Sequence, residues 1–202
     1  MTETSDYEEY LPGIFVRADQ TARINIAKTN IHEGAVIHID VAAGSTLSLN
    51  SLTVKDSAQV SIGRKSVVRS MTLGFAGDGA RLEIGDSFRC GPTHIVVKYG
   101  SVRIGHNVLF SHGITIRTTD MHSIFDKATG ERINLPAPVS IDDHVWLGQD
   151  VIVGKGASIG RDSVVAARSF VSRSFPPESL IGGSPGKVLR EGITWSHKDG
   201  PE

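Results

Sequence analysis

Residues 141–176 read IDDHVW, LGQDVI, VGKGAS, IGRDSV, VAARSF, VSRSFP, six hexads in unbroken succession. Each opens on a β-branched residue or leucine: Ile141, Leu147, Val153, Ile159, Val165 and Val171. Glycine follows at Gly148, Gly154 and Gly160, and Ala166 and Ser172 keep that position small. Four residues after the openers stand Val145, Val151, Ala157, Ser163 and Ser169, and only the last hexad departs, with Phe175. Self-similarity at a fixed period marks a stack of like units, each burying its neighbour's face. A six-residue period suits short strands joined by tight turns, because side chains alternate across a strand and glycine permits close backbone approach. The chain therefore reads as an all-β solenoid.

A looser repeat covers the front half. SAQVSIG ends at Gly63, GARLEIG at Gly85 and YGSVRIG at Gly105, with APVSID ending at Asp142 as a late version. RINIA around Ile26 and TLSLN around Leu49 are degenerate forms. Ile62, Ile84 and Ile104 lie 22 and then 20 residues apart, one coil of about 18 residues plus turn residues. The spacing predicts a solenoid over 21–175, an irregular N-terminal cap over 1–20, and a closing coil and C-terminal cap over 176–202. The final SHKDGPE is expected to fray.

The phase breaks once. Ile104, Phe110 and Ile116 keep the six-residue step, but Ile141 follows Ile116 by 25 residues. The segment between carries the turn formers Asp126, Gly130, Asn134, Pro136 and Pro138 with little apolar periodicity. It is expected to be a loop, 117–140, projecting from the solenoid. Long loops on rigid scaffolds are disproportionately functional.

Composition narrows the classes. The chain of 202 residues has a net charge of −1, so no strong field points to nucleic acid or an acidic membrane surface. The lone Cys90 excludes an internal disulfide and a cysteine-rich metal site. The opening MTETSDYEEYLPG lacks the basic-then-apolar order of a secretory signal. No apolar run approaches the ~20 residues that span a bilayer. The expectation is a soluble cytoplasmic protein.

The hexads resemble the left-handed β-helix hexapeptide-repeat acyltransferases, and specifically the galactoside, maltose and polysaccharide O-acetyltransferase branch. The resemblance implies a left-handed parallel β-helix, assembly as a homotrimer, and acetyl-CoA as co-substrate with no metal. In the galactoside and maltose enzymes a loop histidine acts as general base, and a Val-Trp-aliphatic-Gly motif follows 24 residues later. Here His122 precedes Val145-Trp146-Leu147-Gly148, with Trp146 at that spacing. The segment Asp120-Met121-His122-Ser123-Ile124 also resembles the Asp-Gly-His-Ser-Ile of polysaccharide O-acetyltransferases. Met121 replaces that glycine, so the local turn is expected to differ.

The chemistry needs a histidine because a hydroxyl is a poor nucleophile until its proton is removed, and an imidazole can remove it at neutral pH. The thioester of acetyl-CoA is already activated, so direct transfer without a covalent enzyme intermediate is expected. Asp120 is a candidate to orient the imidazole, or else a turn cap. By resemblance the donor meets Trp146, Gln149, Ala167, Ser172 and Arg173. The closing GGSPGKVLR resembles the family's Gly-x-Pro-x-(Lys/Arg)-Val-(Ile/Leu)-Arg motif, so Lys187 and Arg190 would meet CoA phosphates. The positions that contact sugar in galactoside-type enzymes fall near Gly91 and Tyr99, where the chemistry is not preserved. A sugar or glycan hydroxyl remains the expected acceptor, with an amino-sugar nitrogen or another small molecule as alternative. Two other readings stand beside it: a γ-carbonic-anhydrase-like zinc site built from His94, His106, His112 and His122, whose spacings do not match that family, and a non-enzymatic scaffold.

Overall fold

The computed structural model describes residues 6–198. Among them there is no helix, and hence none long and apolar enough to cross a membrane. The chain winds a left-handed β-solenoid of about seven turns with three faces. The first face stacks Ile14–Ala18, Ile37–Val41, Ala58–Ile62, Ala80–Ile84, Ser101–Ile104, Val139–Ile141, Ser158–Ile159 and Ser174–Phe175. The second holds Arg89–Cys90, Leu109–Phe110, Trp146–Leu147, Val164–Val165 and Ser179–Gly182, and the third Thr93–Lys98, Ile114–Arg117, Ile152–Val153 and Phe170–Val171. In the early coils Thr46–Val54 and Val67–Ala76 run round the corner and serve both faces.

Register shows that the two repeats read from sequence are one rung. Ile62 pairs with Ile84, then Ile104, Ile141, Ile159 and Phe175 in successive coils. Strands such as Ala58–Ile62 and Ala80–Ile84 bury every second side chain, and these fill the narrow interior. The glycine after this rung is a packing requirement. A Cβ on Gly85 would lie 2.7 Å from the carbonyl carbon of Gly105 in the next coil. Two residues later Lys65, Ser87, Asn107, His144 and Asp162 turn the corner in the left-handed region, with φ from 53° to 59°. There the Asn107 and His144 N–H groups donate to the preceding coil at Asp86 and His106 (2.8 Å each), so the turn satisfies its backbone.

Three boundaries differ from expectation. Within 1–20, Glu8–Leu11 and Ile14–Ala18 are strands; the second forms a rung because Ile14 and Val16 alternate inward. Residues 1–5 lie outside the described residues. The loop occupies 118–138, since Arg117 and Val139 belong to flanking strands. At the C-terminus, Lys187–Glu191 turns back antiparallel on Ser179–Gly182 and closes the second face. The following segment, read as frayed from Ser196, instead runs back along the corner between first and second faces. Ile193 N–H donates to Glu178 (3.0 Å), Trp195 Nε1 to the His144 carbonyl (2.7 Å), and His197 Nε2 lies 3.4 Å from Asn107 Oδ1. Residues 199–202 are outside the described part.

Candidate active site

The loop carrying His122 leaves the corner between third and first faces. Its neck is tied by Thr118, whose Oγ1 donates to the Lys98 carbonyl (2.9 Å) and accepts from the Lys98 N–H (2.7 Å), and by Ala137 N–H donating to Thr118 O (3.0 Å). Inside the loop one buried polar side chain organises the turn. Asn134 Oδ1 accepts from the Ile124 N–H (2.7 Å) and Arg132 Nε (3.3 Å), while Nδ2 donates to Asp120 Oδ2 (2.9 Å) and the His122 carbonyl (2.8 Å). The whole hydrogen-bonding capacity of the amide is used. Asp120 Oδ2 also meets Lys155 Nζ at 2.8 Å, and that ammonium donates to Leu135 O at 3.1 Å. Lys155, followed by Asn134, holds the Asp120 carboxyl below the usual carboxylate range.

His122 is exposed, and its imidazole has no hydrogen-bond partner among the described residues. No hydrogen bond joins it to Asp120, whose carboxylate is turned to Lys155 and Asn134. Met121 takes φ of 68°, the left-handed backbone that glycine favours, and its N–H donates to Thr119 Oγ1 (3.0 Å). The turn thus keeps a glycine-like conformation with a methionine in it. Around His122 the loop exposes Met121, Ile124, Phe125, Ile133 and Leu135.

The other expected residues fall into two groups. Gln149 and Ala167 stand at the corner between second and third faces, one coil apart, where Arg168 N–H donates to Gln149 O (2.8 Å). Ser172 and Arg173 stand at the far edge of the third face, and Arg173 Nη2 donates to Gly186 O at 3.3 Å. Between those edges Ile152 and Phe170 are exposed, so the last two coils offer an apolar strip flanked by small and basic residues. Trp146, Lys187 and Arg190 lie on the second face. Trp146 is 39% exposed; Trp195 packs beside it at 6.0 Å and stacks on His144 at 4.5 Å. His144 Nδ1 in turn lies 2.8 Å from Asp162 Oδ1. Within one chain the loop corner is opposite the second face, so His122 and Trp146 are not brought together.

Asn134, Lys155 and Trp195 escaped the sequence reading. Asn134 was legible only as a turn former, and Lys155 sits at a free hexad position. Trp195 had one signal, an Ile-Thr-Trp run beyond the closing motif. The histidines do not converge: His106 Nδ1 accepts the Asp86 N–H (2.9 Å) at a corner, and among the described residues no three His, Cys, Asp or Glu side chains are grouped to hold a metal. Burial pushes the Cys90 thiol up to about 11, which leaves it a poor nucleophile.

No family model matches the chain. It is 31% identical over 113 residues to a galactoside O-acetyltransferase of Escherichia coli K12, covering 56% of this chain and 55% of the relative. It is 40% identical over 104 residues to a polysialic acid O-acetyltransferase of Neisseria meningitidis, covering 51% and 48%. The chain thus spans about half the length of these curated relatives. A crystallographically analysed polysialic acid O-acetyltransferase superposes with a TM-score of 0.65 at 26% identity, covering 91% of both chains. Solenoid, hexads and relatives agree: in sequence and in fold the chain is similar to the left-handed β-helix hexapeptide-repeat acetyltransferases.

Proposed function

We propose that this protein is an acetyl-CoA-dependent O-acetyltransferase acting on a sugar or glycan hydroxyl. The observation that carries the reading is the exposed, unengaged imidazole of His122 on a loop whose backbone is pinned by Asn134. His122 accepts the acceptor proton as the hydroxyl oxygen attacks the thioester carbonyl. The tetrahedral intermediate collapses to the O-acetyl ester, the C–S bond breaks, and the imidazolium returns its proton to the CoA thiolate. Such base catalysis supplies about 10²–10⁴-fold in rate. Asp120 serves as an anchor of the loop through Lys155. Trp146, Gln149, Ala167, Ser172 and Arg173 line the donor's path, with Lys187 and Arg190 toward its phosphates. The cytoplasm, with its acetyl-CoA and reducing conditions, suits both donor and free Cys90.

The working form is a homotrimer in which the His122 loop of one subunit faces the Trp146 side of its neighbour. Two features support this: the loop leaves the corner opposite the second face, and it exposes five large apolar side chains that a neighbouring surface would cover. Thiol release from acetyl-CoA, measured across sugars, amino sugars and oligosaccharides, tests the activity. Release that depends on a hydroxylated glycan is expected. Release with amino sugars alone would move the assignment to N-acetylation, and no release with any acceptor would reject the reading. Mixing His122→Ala chains with chains disabled at Gln149 and Ala167 should restore part of the activity, and a fully active monomer would remove the shared site.

A further inference from the structure

The second face carries a groove of about 450 Å³ on the N-terminal side of Trp146. Val67, Leu109 and Phe110 supply its apolar part, and Arg69 and Arg89 supply its charge. Gly91 also lines it. Val67, Arg89, Leu109 and Trp146 occupy one outward column, in register from coil to coil. Neighbouring strands lie about 4.8 Å apart, which sets the Arg89 backbone about 10 Å from that of Trp146. A disaccharide spans that distance.

Among the described residues the charge in this groove is uncompensated. Neither guanidinium has an ion-pair or hydrogen-bond partner among the described residues, whereas Arg17, Arg64 and Arg161 are paired with carboxylates. No acidic side chain among the described residues lines the groove. The groove beside Arg81 also contains Asp40 and Glu83, and the one beside Arg103 contains Asp142 and Asp143. Arginine suits planar recognition of carboxylates, and an apolar floor suits the C–H face of a sugar ring.

We propose that the groove between Arg69 and Arg89 is an acceptor subsite for a carboxylate-bearing sugar unit, a nonulosonate or a hexuronate, adjoining the unit that is acetylated. The proposal rests on the sugar acetyltransferase reading above and adds the substrate class. Donor phosphates are the other anions at hand, but Lys187 and Arg190, to which they are assigned, stand at the C-terminal edge of this face, five strands beyond Arg89, and of the donor path only Trp146 adjoins the groove.

The test uses the full chain, wild type and Arg69→Gln/Arg89→Gln, with short oligosialic acid, oligogalacturonate and a neutral maltooligosaccharide as probes. Calorimetric titration without acetyl-CoA reads the subsite independently of transfer. Wild type is expected to bind one acidic probe and not the neutral one, and which acidic probe binds separates nonulosonate from uronate. The double variant should bind that probe about ten- to hundredfold more weakly, with a flatter salt dependence. Its Michaelis constant for acetyl-CoA and its oligomeric state should not change. Unaltered binding of the acidic probe in the double variant, or equal binding of the neutral probe by wild type, would overturn the proposal. So would a raised Michaelis constant for acetyl-CoA, which assigns the pair to donor phosphates, or dissociation of the assembly, which assigns it to a subunit contact. Acidic-probe binding without any acetyl transfer would retain the subsite and reject the acetyltransferase reading.

Discussion

The solenoid wall and the loop that leaves it after Arg117 are held by opposite means. In the wall Ile104, Ile141 and Ile159 stack in register, each almost fully buried, and every rung shares its apolar contacts with those above and below. In the loop the large side chains Met121, Ile124, Phe125, Ile133 and Leu135 are exposed, and the shape depends on Asn134, Lys155 and the neck at Thr118. Wall stability is collective and close to a sum over coils. Loop geometry rests on a few polar contacts. A reacting group on such a loop can be moved or lost without unfolding the scaffold, and a damaged wall cannot spare the loop.

The sharpest break of this contrast is His122→Ala. Transfer should fall by about 10²–10⁴-fold, with the thermal midpoint unchanged, because the ring makes no hydrogen bond among the described residues. Turnover near wild type would take His122 out of the mechanism. In the wall, Ile141→Ala should cost about 2–5 kcal/mol in denaturant unfolding, since its side chain fills a rung between Ile104 and Ile159. A loss under about 1 kcal/mol would show that the coils collapse onto the cavity and that the wall is softer than its packing implies.

Asn134→Ala probes the loop from inside. It strands the Ile124 N–H and removes the donors to Asp120 and the His122 carbonyl, a cost of about 1–3 kcal/mol. Faster hydrogen exchange at Ile124 and a lower turnover number are expected, with global unfolding little moved. A large drop in the global midpoint would instead make loop and wall one cooperative unit. The smallest effect belongs to Met121→Gly. Relief of the left-handed backbone at φ 68° should stabilise the loop by about 1 kcal/mol or less, net of the entropy glycine adds to the unfolded chain. Destabilisation would mean that the Met121 side chain contributes contacts beyond its backbone geometry.

Legibility followed the same division. The hexads from Ile141 predicted the wall, and the spacing of Ile62, Ile84 and Ile104 predicted coils that prove to share their rung. The rung at Ile14–Ala18 was missed because no glycine follows Val16 or Ala18, so the strand lacks the corner mark of its neighbours. The tail was missed because Trp195 docks on His144, 51 residues away in sequence. That contact belongs to no period.

By itself the sequence determined the period, the all-β class, the interior column and the point where the winding is interrupted. Those features are local and repeated: alternation, β-branching, and a glycine wherever a Cβ would strike the next coil. Only the tertiary structure decided that Asp120 serves Lys155 and Asn134 instead of the His122 ring, that Trp195 lies against Trp146, and that Arg69 and Arg89 border one groove without a carboxylate. Each of these joins residues from different coils or from outside the repeat. Their meeting depends on how many residues each coil contains and where the loop leaves, and no short window of sequence carries that sum.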